Sequence, residues 1–332
     1  MEPALGVPKK IGANSLQRAA AVLHSHQRKV RMRSTQRSPR RFRVCYHCNR
    51  TLPDSAFRKT IAVRRTAHAE NFPDGQAGIA RAKYELIASL PRLGVAILNC
   101  DDPYVRQFGR DFPGKTIYFG SGSCADPRVV SIVPLGAEGL RFTVHSDDKR
   151  LDVTLPLLGE HNVYNALAAI AVGLASGISL EECGIALATL KPGDKRGQTL
   201  QLRGATLIND SYNSNPQALR AMVDTLLMLP AQRTIVVAGE MLELGEAGPR
   251  LHRECGELMG TRGINLVVGV RGEAASIVAG AKAAGAEAIF MSTPEEAGAW
   301  LRENLRAGDA VLLKASRGVR LERVLEVLQR ED

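Results

Sequence analysis

Apolar residues are spaced differently in successive parts of this chain, and the changes in spacing mark its organisation. Beyond Gly193, short and almost wholly apolar runs recur: ATLIND (205–210), RTIVVAG (233–239), INLVVGV (264–270), AEAIFM (286–291) and AVLLKA (310–315). Runs of that length, with no polar alternation, are strands covered on both faces. Between them lie stretches of helical length starting near Pro216, Gly248, Gly272, Pro294 and Val319. Strand and helix in regular alternation predict βαβ units and a parallel, Rossmann-like sheet, with ligands at the carboxyl ends of its strands. No G-x-G-x-x-G opens the region, so a dinucleotide site is not indicated.

From about residue 66 to 192 the pattern is mixed. GQAGIARAKYELIASL (75–90) places Ile79, Ala82, Leu86, Ile87 and Leu90 on one predicted helix face, and GVAILN (94–99) follows as a buried strand. Four shorter β-rich pieces come next, TIYFG, RVVSIV, LRFTVH and LDVTLPL, then the helices HNVYNALAAIAVGLASG and SLEECGIALATL. The fold class is α/β, organised as a basic head (1–65), a mixed block (66–192) and the Rossmann-like region (193–332).

Charge sharpens the division. Residues 1–65 hold 16 Lys and Arg against Glu2 and Asp54, whereas the remainder holds 28 basic against 32 acidic residues. The head also lacks periodic apolar patterning, and such a composition reads as a disordered basic segment. Its Cys45, His47 and Cys48 are half of a zinc site at most, since the second ligand pair is missing. The six cysteines form no disulfide framework, and those in or beside apolar runs are read as free core thiols. No apolar run reaches the length of a membrane span, which makes a cytoplasmic site the expectation.

GRDFPGKT (109–116) fits the phosphate-loop pattern G-x-x-x-x-G-K-[ST] letter for letter. The loop needs a strand before it and a helix after it, and here a short helix precedes while IYFG reads as a strand. Pro113 also removes one of the N–H groups that would cradle phosphate. The stretch is therefore predicted to be a helix-to-strand turn.

Four clusters could carry chemistry. His68 and Glu70 precede a helix bearing Lys83 and Glu85. Asn162 and Asn165 share a helix face beside His161, and their amides suit a purine edge or, equally, a helix start. Asp210, Ser211, Asn213 and Asn215 crowd the end of the first strand beyond Gly193, where the alternative is a cap for the helix at Pro216. Lys314, Ser316 and Arg317 end the last strand and would suit an anionic substrate.

In this order the clusters resemble the Mur ligases, ATP-dependent amide-forming enzymes of peptidoglycan precursor synthesis, from about Thr66 to the C-terminus. AHAENFPDGQAGIARAKYELI is similar to that family's magnesium and carbamylated-lysine segment, GEHNVYNALAA to its nucleotide-side asparagine helix, and KRGQ to the Arg entry of its C-terminal domain. INDSYNSNPQAL and VAGEMLELGE are similar to the branch that adds D-alanyl-D-alanine to UDP-N-acetylmuramoyl-tripeptide. The resemblance implies a partial central ATPase domain over 66–192 and a Mur ligase C-terminal domain over 193–332. It implies ATP and Mg²⁺ as cofactors and a monomer acting on those two substrates. His68 and carbamylated Lys83 would hold Mg²⁺, a carbamate turning Lys from repelling the cation to binding it. Asn162, Asn165, Arg196 and Asp210 would contact the nucleotide, and Asn213, Asn215, Lys314, Ser316 and Arg317 the substrates. The family's own phosphate loop and UDP-binding domain have no counterpart in residues 1–65, so little or no turnover is expected of the chain as given. The reading from another class is a non-catalytic protein, with a basic arm contacting nucleic acid and a ligand-binding Rossmann-like domain.

Overall fold

A computed structural model of the chain describes residues 60–63 and 75–330. The basic head up to residue 59, its Cys45–His47–Cys48 group and His68 lie outside the described residues.

Strand β1 (Thr60–Val63), helix α1 (Gly75–Ala88) and strand β2 (Val95–Asn99) form a parallel βαβ unit, which β3 (Lys115–Phe119) extends in the order β1-β2-β3. Thr60–Val63, placed in the head by composition, is thus part of a sheet. GVAILN is the buried strand expected. The buried side of α1 differs from the expected one. Ile79, Ala80, Ile87 and Leu90 are buried, Ala82 is exposed, and Leu86 is 40% exposed. The stripe runs through 79, 80, 83, 84 and 87, because Tyr84 packs edge-on to Phe108 at 5.5 Å and turns that side inward. The phosphate-loop look-alike is a turn: a single 3₁₀ stretch (Val105–Gly109) ends in it, and Lys115 and Thr116 begin β3.

Strands β4 (Arg128–Pro134), β5 (Leu140–Ser146) and β6 (Lys149–Leu155) make an antiparallel meander. It is stitched along one row by Ser131 donating to Thr143 (2.8 Å) and Thr143 to Asp152 (2.6 Å). Helices α2 (Glu160–Ala175) and α3 (Leu180–Ala188) follow, α3 opening with a capping box between Ser179 and Glu182. Val163, Leu167 and Ile170 of α2 share one core with Phe119, Phe142 and Leu155.

Beyond these, β7 (Gln198–Leu202), β8 (Ala205–Asp210), α4 (Pro216–Leu227), β9 (Arg233–Gly239), α5 (Gly248–Thr261), β10 (Leu266–Val270), α6 (Ala274–Ala283), β11 (Glu287–Met291), α7 (Pro294–Asn304), β12 (Asp309–Lys314) and α8 (Arg323–Leu328) build a sheet ordered β11-β10-β9-β12-β8-β7. The five expected strands are parallel neighbours. The edge strand β7, antiparallel to β8, is an addition, and the last helix begins at Arg323 rather than near Val319. Alternate strand residues feed two cores. Ile208, Val236, Val267 and Leu312 meet α4, α5 and α6, while Leu207, Val237, Val268 and Leu313 meet α7 and α8. That period of two across doubly covered strands explains their continuous apolar text.

Two fastenings were not expected. Cys100 and Cys124 form a disulfide, with Cα atoms 6.1 Å apart. Their reading as free core thiols is therefore corrected, although Cys183 and Cys255 are free and buried as expected. The pairing arises because β2 and β3 are neighbours, so the loops leaving their carboxyl ends meet across 24 residues of sequence. At the opposite end of the larger sheet Arg233 grips Asp309 through Nε (3.0 Å) and Nη2 (2.6 Å), locking β9 to β12. Asp309 is only 3% exposed, and the hydrogen bond to it, followed by its charge, holds the Arg233 guanidinium above its usual range while burial opposes.

A buried bidentate pair is costly to break from one side, so Asp309→Ala is expected to lower stability by about 3 kcal/mol in urea unfolding; a loss under about 0.5 kcal/mol would show the pair to be idle. Digestion without reductant is expected to yield the Cys100 and Cys124 peptides covalently joined, and their recovery as separate free thiols would contradict the pairing.

Candidate functional site

Most of the candidate residues of the Rossmann-like region meet at the carboxyl ends of β8, β9 and β12. The Lys314 ammonium, 2% exposed, donates to Asp210 Oδ2 (2.6 Å) and to the Asn213 carbonyl (2.9 Å). A buried ammonium needs such partners, so Lys314 ties the loop after β8 to the end of β12. Ser316 completes the junction. Its Oγ accepts from the Leu242 N–H (2.9 Å) and donates to the Ser214 carbonyl (3.4 Å), while its N–H donates to the Glu240 carbonyl (3.2 Å). Three loops from three adjacent strands are thereby fixed. Asn213 Oδ1 accepts from the Ser214 N–H (3.0 Å), and Asn215 caps α4 by accepting from the Ala218 N–H (2.8 Å), with Pro216 in the first turn. Asn215 thus takes the capping role that the sequence left open. The Ser214 hydroxyl is buried with no hydrogen-bond partner.

Arg196 lies beside this junction, on the segment leading into β7. Its guanidinium sits 4.0 Å from the centre of the Tyr212 ring, and the Tyr212 N–H donates to the Lys195 carbonyl (3.0 Å). Arg317 is half exposed and pairs with Glu322, which keeps the guanidinium above its usual range. Sequence reasoning passed over Lys195, Tyr212, Ser214 and Glu322; only the position of Tyr212 and Ser214 inside NDSYNSNP could have flagged them.

The asparagine pair lies at the start of α2. Asn162 donates to the Leu158 carbonyl (2.8 Å) and accepts from the Asn165 amide (2.8 Å), so the structure brings these two together. The helix starts at Gly159, whose φ of +86° favours glycine. A Cβ there would stand 2.7 Å from the His161 ring. Leu157 packs in the core of the first half and Leu158 in the core around α4, so two consecutive residues join the two halves. Tyr164, further along α2, donates to Asp101 (2.9 Å), which also accepts from the N–H groups of Ser121 (2.7 Å) and Gly122 (2.9 Å). Burial works against the Asp101 charge, yet these donors together hold its carboxyl below the usual range. The disulfide and this carboxylate clasp the same two loops.

Lys83 is half-buried on the inward side of α1. Among the described residues no three His, Cys, Asp or Glu side chains gather as a metal site. No helix among them is long and apolar enough to cross a membrane.

Comparison with known proteins accounts for both halves. Residues 60–173 match the Mur ligase middle domain, and residues 195–317 match the Mur ligase glutamate ligase domain. The UDP-N-acetylmuramoyl-tripeptide--D-alanyl-D-alanine ligase of Mycobacterium leprae is 35% identical over 79% of this chain and 57% of its own length. The ligase of the same name in Escherichia coli is 31% identical over 86% of this chain and 62% of its own. The chain thus spans less than two thirds of these relatives. Among solved structures, MurF from Acinetobacter baumannii aligns with TM-score 0.72 at 28% identity, covering 81% of this chain and 59% of that one. MurF from Thermotoga maritima in complex with ADP aligns with TM-score 0.70 at 26% identity, covering 81% and 60%.

Gly159→Ala is expected to cost about 1–3 kcal/mol, from positive φ and the clash with His161; a neutral effect on thermal unfolding would show that the turn adapts. Because the Asp101 carboxyl is depressed when folded, its contribution is present above the ordinary carboxylate range and disappears as pH falls through the lowered value. Asp101→Asn should therefore flatten the acid limb of stability against pH, and an unchanged limb would contradict the clasp.

Proposed function

The chain belongs to the Mur ligase family, and from that premise we propose that it carries the ATP- and amine-side portions of a cytoplasmic, monomeric ligase joining D-alanyl-D-alanine to UDP-N-acetylmuramoyl-tripeptide. The observation that carries the reading is the junction of Asp210, Lys314 and Ser316, built on the two segments similar to the D-alanyl-D-alanine-adding branch. The named relatives point to the same branch across both halves. Neither the matching domains nor the named relatives favour a nucleic-acid-binding protein.

In the proposed reaction the terminal carboxylate of the tripeptide attacks the γ-phosphorus of ATP and ADP leaves. The amine of D-alanyl-D-alanine then attacks the acyl carbon, loses a proton, and phosphate departs from the tetrahedral adduct. Residues of this chain supply grip and order. The Arg196 guanidinium, held over the Tyr212 ring, presents charge-assisted donors to the nucleotide, and Asn165, steadied by the buried Asn162, offers its amide to the base. Arg317 and the loop of Asn213 face the substrates' anionic groups. Asp210, bound to Lys314, contacts the nucleotide from a fixed position. Magnesium, where bound, would supply positive charge against the phosphate oxygens, and His68 and a carbamylated Lys83 would be the residues to hold it. Among the described residues no three His, Cys, Asp or Glu side chains make up such a site.

Titration with a non-hydrolysable ATP analogue tests the reading. Binding should weaken roughly tenfold in Arg196→Ala and in Asn165→Ala, and should stay within about twofold in Lys115→Ala, since Lys115 opens a strand. Loss of binding in Lys115→Ala, or none in the wild-type chain, would overturn the assignment.

A further inference from the structure

The segment that brings Arg196 to the site is held by a device that the candidate residues do not include. Lys195 has φ +58°, a left-handed conformation that a residue with a long side chain seldom adopts. Its side chain and its backbone both have partners. The ammonium reaches Glu322 Oε1 (3.1 Å) and Asp194 (3.5 Å), and the carbonyl accepts from the Tyr212 N–H. Glu322 Oε1 also takes the Arg317 guanidinium, so one oxygen bridges the segment before β7 and the loop after β12. The Glu322 side chain is 15% exposed and that of Lys195 20%, which lifts this pair above an ordinary surface bridge. Glu322 Oε2 is buried and has no hydrogen-bond partner, so Oε1 takes both cations.

We propose that Glu322 is a positioning residue: by holding Lys195 and Arg317 on one carboxylate oxygen it sets Arg196 against Tyr212 and aims Arg317 before any ligand arrives. The inference rests on the proposed function for what the two arginines bind, but not for the arrangement itself. Three cations, Lys195, Arg196 and Arg317, converge here against Asp194 and Glu322. Without Glu322 the cations would repel one another and the side chain of Lys195 would lose the contact that holds its left-handed turn. With it they leave one net positive charge, suited to an anionic phosphate or carboxylate.

The test uses the full 332-residue chain, with Glu322→Gln, Glu322→Asp and Lys195→Met. In ligand-free protein the Arg196 side-chain NMR signals should be ring-current shifted by Tyr212, and the shift should vanish in Glu322→Gln, shrink in Lys195→Met and partly return in Glu322→Asp. In the wild type it should also be lost as pH falls through the Glu322 carboxyl, which burial raises but Arg317 and Lys195 pull below the usual range. The Gln variant should show no such transition. Affinity for the ATP analogue should fall roughly tenfold in Glu322→Gln. An unchanged Arg196 shift in Glu322→Gln and Lys195→Met overturns the inference. A wild-type chain that binds no analogue overturns the functional reading instead, and the ligand-free spectra still decide the role of Glu322.

Discussion

A positive charge buried at the end of a central strand constrains this molecule more than any other single feature. Lys314 closes β12, which lies between β8 and β9, and its ammonium has almost no access to water. Such a group is tolerable only with partners held in place, and Asp210 and the Asn213 carbonyl are those partners. The loop after β8 must therefore fold back over β12. Ser316, two residues on, extends the same order to the loop after β9. Ligands of this architecture bind outside the carboxyl ends of a parallel sheet, and here the loops at that end are fixed by one ammonium and one hydroxyl.

The two halves are joined with similar economy. Leu157 and Leu158 enter different cores, and the glycine after them turns the chain into α2, so the Asn162–Asn165 pair is referenced to both halves at once. Asp101 and the Cys100–Cys124 disulfide fasten the loops beside Tyr164 on the same helix. Groups proposed to grip one nucleotide from two sides thus sit on elements whose relative order is fixed by packing and by a few charged contacts.

Much of the fold was legible because its strands are covered on both faces and so read as unbroken apolar runs. The edge strand β7 was not, since QTLQL has no buried residue and carries little β signal. The inward side of α1 was misjudged because Leu86 looks like a core residue while Tyr84, with its polar tip, does the packing. The turn at 109–116 was read from context against a perfect motif match. Of the candidate site, Asp210, Asn213, Lys314 and Ser316 could be named from the ends of strands, though not that Lys314 would turn inward onto Asp210. Glu322 stayed hidden in RLERVLE, where its two acids read as solvated helix residues. The disulfide was equally invisible, because the closeness of Cys100 and Cys124 is a property of strand neighbours and not of spacing.

Amide hydrogen exchange in Lys314→Met, compared with the wild-type chain, tests most directly whether the buried ammonium orders these loops. Protection should fall across 211–215 and at Leu242 while the amides of β9 and β10 stay protected. Unchanged protection across 211–215 would contradict that role.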